Sequence, residues 1–179
     1  MGESGVGRAA RVRVEAASEA ERPLIEGLLQ FYFYDFSEME PPGSGDFVFD
    51  ARGGYPPFDD MADYWTCEGF HALVIRVAEE TAGFALINTR SHRGGGVERN
   101  MGEFFVARKH RRRGVASEAL RQVLASLPGR WEVAVVERNL AAKVFWPRAI
   151  SAAPNVTELV QLEGDGEHWR GPIWAFRSS

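Results

Sequence analysis

The sequence has very little cysteine and no long apolar segment. Cys67 is the single cysteine among 179 residues, so no intrachain disulfide can form, and such usage is typical of a reducing compartment such as the cytoplasm. No apolar run approaches the roughly 20 residues of a membrane-spanning helix, so we expect no membrane partner. Residues 1–10 lack the apolar core of a signal peptide. We expect them to form a flexible leader before a single domain over residues 11–179.

Several catalytic and binding signatures are also missing. The chain has neither a P-loop nor a G-x-G-x-x-G segment after a strand, and no serine or cysteine lies in a nucleophile motif. The four histidines are scattered without the spacing of metal ligands, so no metal is expected. The net charge of −4 argues against nucleic acid as a partner.

The apolar residues that are present follow the periods of strands and helices. A hydrophobic fraction of 45% is enough to fill the core of one mixed α/β domain. Strands are predicted at residues 11–16, 71–77, 82–88, 98–108, 131–136, 156–162 and 173–176. Helices are predicted after the capping box Ser18–Glu21 and at residues 59–67, 117–127 and 139–146. A hairpin turn is predicted at residues 79–81, and a loop rich in Gly, Pro and Asp at residues 41–57.

The most informative segment is a basic turn (residues 108–114) between a strand and a helix. The strand ends in Phe104, Phe105 and Val106, and the turn carries Arg108, Lys109, Arg111, Arg112 and Arg113 before Gly114. Small residues at a helix start let an anion approach bare backbone N–H groups, and the helix dipole favours negative charge there. The segment therefore predicts a phosphate or pyrophosphate site. The alternative is a helix start with a solvated basic face.

Two signatures in this region resemble the GCN5-related N-acetyltransferase (GNAT) family. Arg111-x-x-Gly114-x-Ala116 is similar to its pyrophosphate-binding motif, and the helix from Asn139 to Trp146 is similar to its second motif. The resemblance implies a central mixed, mostly antiparallel sheet with a splayed strand pair, flanked by helices. It also implies acetyl-CoA as the co-substrate.

The same resemblance assigns the cofactor-binding residues. Backbone groups of Phe104, Phe105 and Val106 would bind the pantetheine arm, and Asn139 would meet it. Arg138 and Lys143 would contact a further phosphate, or alternatively they are solvated surface charges. The pyrophosphate would lie on the turn and the helix start, at Arg111, Arg112, Arg113, Gly114, Val115, Ala116 and Ser117.

Two residues are the candidates for catalysis. Glu103 lies beside the predicted pantetheine site, where apolar neighbours raise a carboxyl pKa toward that of a useful base. The alternative role of Glu103 is that of a strand-end carboxylate in an ion pair, and Glu132 is the alternative base. Many relatives have tyrosine where this chain has Trp146, and an indole N–H is too weakly acidic to protonate a thiolate. The alternative role of Trp146 is core packing. The thiolate would then leave without a proton donor, or Tyr32, Tyr34 or Tyr64 would supply the proton.

The acceptor is predicted to be a primary amine of a small molecule. Tyr32 and Asp35 are the candidate substrate-binding residues, because acidic and aromatic side chains between residues 32 and 65 would suit a cationic amine. An acidic surface loop over an aromatic core is the alternative. Three other functions stay open, namely acetylation of a protein or peptide amine, a non-catalytic acyl-CoA-binding module and a nucleic-acid or phosphoprotein binder. A homodimer is left open as the assembly.

Overall fold

A seven-stranded sheet forms the centre of the molecule. The computed structural model describes residues 11–94 and 96–179, so the predicted leader lies outside the described residues. The strand order is β1-β2-β3-β4-β5-β7-β6, and every neighbouring pair is antiparallel except β4 and β5, which are parallel. The strands are β1 Val12–Ala16, β2 His71–Val77, β3 Glu80–Arg90, β4 Gly96–Val106, β5 Gly129–Ala134, β6 Val156–Glu163 and β7 Pro172–Ser178.

Four helices flank this sheet. They are α1 Arg22–Ser37, α2 Asp63–Thr66, α3 Val115–Ser126 and α4 Leu140–Ser151. The predicted capping box is present: the backbone N–H of Ser18 donates to the carboxylate of Glu21 at 3.0 Å, and a 3-10 turn leads into α1. The loop predicted at residues 41–57 contains no helix or strand. The fold is thus the mixed, mostly antiparallel α/β architecture that the sequence predicted.

The two faces of the sheet bury separate cores. Alternate residues of a strand point to opposite faces, so Phe84 and Leu86 of β3 pack with α1 and α2, whereas Ala85 and Ile87 pack with α3 and α4. Along β4, Phe105 lies on the α1 face and Phe104 on the α4 face. This alternation decides which helices can contribute to chemistry beside β4.

Several predicted boundaries need correction. The central strand ends at Val106 rather than residue 108, because Arg108–His110 form a 3-10 turn. The predicted helix 59–67 is reduced to α2, and β5 begins and ends two residues earlier than predicted. The hairpin turn lies at Ala78 and Glu79, where Ala78 adopts a φ of 53°, so residues 80 and 81 belong to β3.

Candidate active site

The two parallel strands at the centre of the sheet separate after a short contact. β4 and β5 are in register only at Arg99↔Trp131 and Asn100↔Glu132. The Ala107 N–H donates to the Ala82 carbonyl of β3 at 2.7 Å, so strand alternation directs the backbone groups of Phe104 and Val106 to the other edge, which faces the gap. Buried backbone groups need partners, and this open edge therefore offers hydrogen bonds to an extended ligand.

A bulge at Gly102 lies between the paired and the separated parts of β4. The register with β3 shifts between Met101 and Glu103, which leaves Gly102 as an extra residue. A Cβ at Gly102 would lie 2.7 Å from Nδ2 of Asn88, so a side chain would not fit. In a regular strand, residues 100 and 103 would point to opposite faces. The bulge brings Glu103 onto the face that carries Asn100.

The basic turn ends in an open helix start. Gly114 is the N-cap of α3 with a φ of 76°, and Arg112 also has a positive φ of 60°. A Cβ at Gly114 would meet nothing within 4 Å. The first N–H groups of a helix have no intrahelical partner, so those of Val115, Ala116 and Ser117 are available to an anion in this open space.

The cations of the turn divide into two groups. Arg108 and Arg111 both bind Asp35 of α1, and Lys109 binds Glu80. Among the described residues, no carboxylate lies within 4.0 Å of Arg112 or Arg113. These two arginines are therefore the cations of the turn that remain available for a phosphate.

The side chain of Arg111, which is 39% exposed, already has protein partners. Its Nε donates to the Val106 carbonyl at 2.6 Å, and its guanidinium carbon lies 5.5 Å from the ring centroid of Phe105. Its side chain is thus occupied, and so is the carbonyl of Val106. An extended ligand in the gap is left with the Val106 N–H and the backbone groups of Phe104.

The predicted contacts on and near α4 already have protein partners. The Asn139 side chain caps this helix by accepting from the Ala142 N–H at 3.0 Å. Lys143 binds Glu137, and Arg138 binds Glu40 at 2.8 Å. A cofactor contact from either cation would therefore compete with an existing ion pair.

Glu103 has the properties of a base. Its side chain lies on the α1 face, and burial raises its pKa to about 7, although a hydrogen bond with Tyr32 acts in the opposite direction. Burial and the charge of Glu103 raise the pKa of Tyr32 well above its ordinary value, so that Tyr32 stays protonated and donates. Glu103 and Tyr32, which were predicted separately as the base and as a substrate-binding residue, thus lie next to each other.

A chain of buried amides, which sequence reasoning missed, orients a second tyrosine beside Glu103. Nδ2 of Asn100 donates to Oδ1 of Asn88 at 2.9 Å, and Nδ2 of Asn88 donates to the Tyr64 hydroxyl at 3.2 Å. The Arg90 N–H also donates to Oδ1 of Asn88, at 3.0 Å, which holds that amide in one orientation. Tyr64 therefore accepts from Asn88 and keeps its own proton for another acceptor. The sequence feature that could have revealed this chain of amides is the presence of two asparagines, Asn88 and Asn100, within apolar strands.

Tyr64 remains a neutral phenol over a wide pH range. Burial raises the pKa of Tyr64 to about 12; the hydrogen bond from Asn88 acts against this, and the charge of Glu103 adds to it. Tyr34, another hydroxyl considered from the sequence, is 56% exposed. Tyr32 and Tyr64 are therefore the two of these three tyrosines whose hydroxyl groups lie beside Glu103.

Trp146 lies on the opposite face of β4 from Glu103. Its ring contacts Phe104 with centroids 5.3 Å apart and Phe145 at 5.1 Å, and it belongs to the core between α3, α4 and the sheet. These contacts give the indole a packing role in the folded chain.

The acidic groups between residues 35 and 63 are mostly paired with arginines. Asp35 binds Arg108 and Arg111, while Asp60 and Asp63 bind Arg90. Burial alone would raise the pKa of Asp35, but the hydrogen bonds from Arg111 and Arg108 outweigh it and lower that pKa. Asp35 thus already accepts three hydrogen bonds from these arginines, so a substrate would have to share its carboxylate with them.

Glu132, the alternative base, is buried on β5. Both of its oxygens accept a hydrogen bond from the Ser91 hydroxyl, at 3.1 and 2.9 Å.

Over residues 11–94 and 96–179, no group of three or more His, Cys, Asp or Glu side chains is arranged to hold a metal ion. None of the helices in the described part of the chain is both long and apolar enough to cross a membrane.

Comparisons with known proteins agree with this geometry. The model of the acetyltransferase (GNAT) family matches residues 33–149. An acetyltransferase from Thermus thermophilus superimposes with a TM-score of 0.62 at 16% identity, covering 96% of this chain and 99% of that chain. A GNAT-family acetyltransferase from Staphylococcus aureus gives 0.58 at 9% identity, with coverages of 94% and 99%.

A third structure contains ligands. It is a spermidine N-acetyltransferase from Vibrio cholerae in complex with CoA and spermine, with a TM-score of 0.54, 13% identity and coverages of 92% and 93%. At these identities the structures show the fold alone, and among curated proteins none matches the sequence. The family match covers most of the chain, from α1 through the split strands to α4. The chain therefore belongs to the GNAT family of acetyltransferases.

Proposed function

We propose that this enzyme transfers an acetyl group from acetyl-CoA directly to a primary amine of a small molecule, in the cytoplasm. The observation that carries the proposal is Glu103, a carboxyl group with a pKa of about 7 beside the open edge of β4. An amine must lose a proton to become a nucleophile, and a general base works best with a pKa near the operating pH. The single cysteine, Cys67, supports the reducing compartment.

The residues at the gap fit acetyl-CoA, which supplies an activated thioester. Backbone groups of Phe104 and the Val106 N–H would bind the amides of the pantetheine arm. The N–H groups of Val115, Ala116 and Ser117 would hold the pyrophosphate together with Arg112 and Arg113. This fit rests on the open helix start and on the open edge of β4, where the Phe104 backbone groups and the Val106 N–H have no partner among the described residues.

The residues on the α1 face then accept and donate the protons of the reaction. Glu103 accepts it, and Tyr32 holds the carboxylate in place through its hydrogen bond. Tyr64 is oriented by Asn88 so that its hydroxyl hydrogen points away from that amide. Tyr64 can therefore donate toward Glu103 or toward the departing thiolate, a role for which Trp146 is unsuited.

Calorimetric titration with acetyl-CoA, followed by a thiol-release assay over a panel of amines, tests the proposal. We expect micromolar binding, an increase in melting temperature and release of CoA with at least one small amine. Binding without release from any amine would support the non-catalytic module. Release only with peptide amines would support a protein substrate. No binding would contradict the proposal.

A further inference from the structure

A cationic groove lies between β1 and the start of α3. Its volume is about 530 Å³, which is within the range of small-molecule sites. The side chain of Gln122 holds its two walls together, because it donates to the Val12 carbonyl and accepts from the Val14 N–H, each at 3.0 Å. At one end the groove reaches Arg113 and Gly114. It is therefore continuous with the open helix start that we propose for the pyrophosphate.

The groove carries more positive than negative charge. Four arginines line it, Arg11, Arg13, Arg113 and Arg121, together with a single carboxylate, that of Glu118. Over residues 11–94 and 96–179, no carboxylate lies within 4.0 Å of the guanidinium of Arg11 or Arg113. The groove therefore suits an anionic ligand, which these two arginines can bind without breaking an ion pair of the described chain.

The other charges of the groove are already paired. The Glu118 carboxylate accepts from Nε and Nη2 of Arg121, at 2.9 and 2.6 Å, and from Nε2 of Gln122 at 2.7 Å. These hydrogen bonds, above all those from Arg121, lower the pKa of Glu118. Arg13 binds Glu79 at 3.3 Å. The positive potential that remains for a ligand thus comes mainly from Arg11 and Arg113.

The ribose phosphate of coenzyme A is an anion that fits this groove. Coenzyme A carries this phosphomonoester in addition to its pyrophosphate, and one ribose joins the two groups. A phosphomonoester has a charge of about −1.5 to −2 at pH 7 and three strong acceptor oxygens, which match the forked donors of arginine. The family resemblance assigned this phosphate to Arg138 and Lys143, but these bind the carboxylates of Glu40 and Glu137. The groove offers cations without that competition.

We infer that this groove binds the ribose phosphate of the acyl donor and that Arg11 is the residue that recognises it. Arg113 lies where the groove meets the helix start, between the two phosphate sites. The inference rests on the proposed function, because a pyrophosphate at the start of α3 brings the ribose to this end of the groove. The enzyme then distinguishes acetyl-CoA from acetyl-dephospho-CoA, which lacks only the ribose phosphate.

The first measurement compares the two donors on the unmodified protein. By calorimetry, we expect acetyl-CoA to bind about tenfold to hundredfold more tightly than acetyl-dephospho-CoA, as for hydrogen bonds to a charged group. The ratio should fall as salt is added, because Arg11 is exposed and its charge is screened. Equal affinities would overturn the inference while leaving the proposed function intact; no binding of either donor would instead contradict the function.

The second measurement repeats this comparison with Arg11→Gln. We expect the preference for acetyl-CoA to fall to within about twofold, while the affinity for acetyl-dephospho-CoA is unchanged, because the variant and the missing phosphate remove the same contact. Arg52→Gln is the control, since the Arg52 side chain is 87% exposed in the loop before α2 and the substitution changes the net charge equally. A loss of affinity for both donors by the same factor in Arg11→Gln would show a general effect of charge and overturn the inference.

Two further variants, Arg138→Gln and Lys143→Gln, test the alternative position of the phosphate beside α4. We expect both to keep the preference for acetyl-CoA that Arg11→Gln loses. A preference that is lost in either of these variants and kept in Arg11→Gln would place the phosphate beside α4 and overturn the inference.

Discussion

Asp35 of α1 accepts hydrogen bonds from both Arg108 and Arg111 and thereby fastens the helix to the basic turn. Arg111 in turn binds the Val106 carbonyl at the open edge of β4. One carboxylate therefore links α1 to the turn proposed to bind phosphate. The sequence predicted that Asp35 binds the acceptor, whereas its contacts favour a role in holding this turn.

Replacing Asp35 by asparagine should weaken cofactor binding. Without the two charge-assisted contacts, Arg108 and Arg111 no longer hold the basic turn on α1. We therefore expect KM for acetyl-CoA to rise about tenfold while KM for the amine stays within about twofold. Asp46→Asn, in the exposed loop, is the control. An increase confined to the KM of the amine would instead support the prediction that Asp35 binds the substrate.

The same pair of variants should differ in the pH dependence of stability. The pKa of Asp35 is lower in the folded chain than in the unfolded one, so its ionised form stabilises the fold above the unfolded pKa of about 4. That contribution, about 1 kcal/mol for a partly exposed group, should vanish as the pH falls through the folded pKa. Denaturant unfolding of wild type and Asp35→Asn at pH 7 and at successively lower pH would measure it; a constant difference would contradict the ion pair.

Gly114→Val should abolish acetyl-CoA binding. Any L side chain is strained at a φ of 76°, and the valine would also project into the open space at the start of α3. Gly43→Val is the matched control, because Gly43 has a φ of 85° and equally open surroundings in the loop before α2. Both variants should lose similar stability, whereas only Gly114→Val should lose binding by calorimetry. Normal acetyl-CoA binding by Gly114→Val would show that the basic turn is a surface feature that does not bind the cofactor.

Glu103→Gln should lower kcat about a hundredfold and change the pH profile. The base acts when deprotonated, so wild-type kcat/KM should fall as the pH drops through about 7, and the variant should lack this inflection. Tyr32→Phe removes the hydrogen bond that lowers the pKa of Glu103, and its inflection should therefore move to higher pH. Identical profiles for wild type and Glu103→Gln would remove Glu103 from the mechanism and leave Glu132 to be tested.

Trp146→Phe should affect stability more than chemistry. The indole is 6% exposed and contacts Phe104 and Phe145, so the smaller ring should cost about 1–3 kcal/mol in the free energy of unfolding. Activity measured well below the melting temperature should change only a few-fold. A large fall in kcat at unchanged stability would instead assign the indole to the reaction.

The sequence predicted the succession of strands and helices and the basic turn, because local patterns carry them. The bounds of β2 were predicted to the residue, and the starts of α3 and α4 were predicted to within two residues. The bulge at Gly102 could not be predicted, since it depends on how β4 pairs with β3. The same limit applies to partners distant in the chain: Asp35 and Arg111 are 76 residues apart. The role of Asn88 likewise depends on Tyr64 and Asn100, which separate strands and a helix bring together.

The two-pair contact between β4 and β5 leaves the edge of β4 open beyond Asn100, where the proposed acyl donor would pair with the strand. A ligand that binds the folded chain but not the unfolded one stabilises the fold by RT ln(1 + [L]/Kd). This is about 2.7 kcal/mol when the free ligand concentration is a hundred times Kd. The lifetime of this protein in a cell would then follow the supply of its own acyl donor. Starvation for acetyl-CoA would leave the chain easier to unfold and to degrade, even where its synthesis is unchanged.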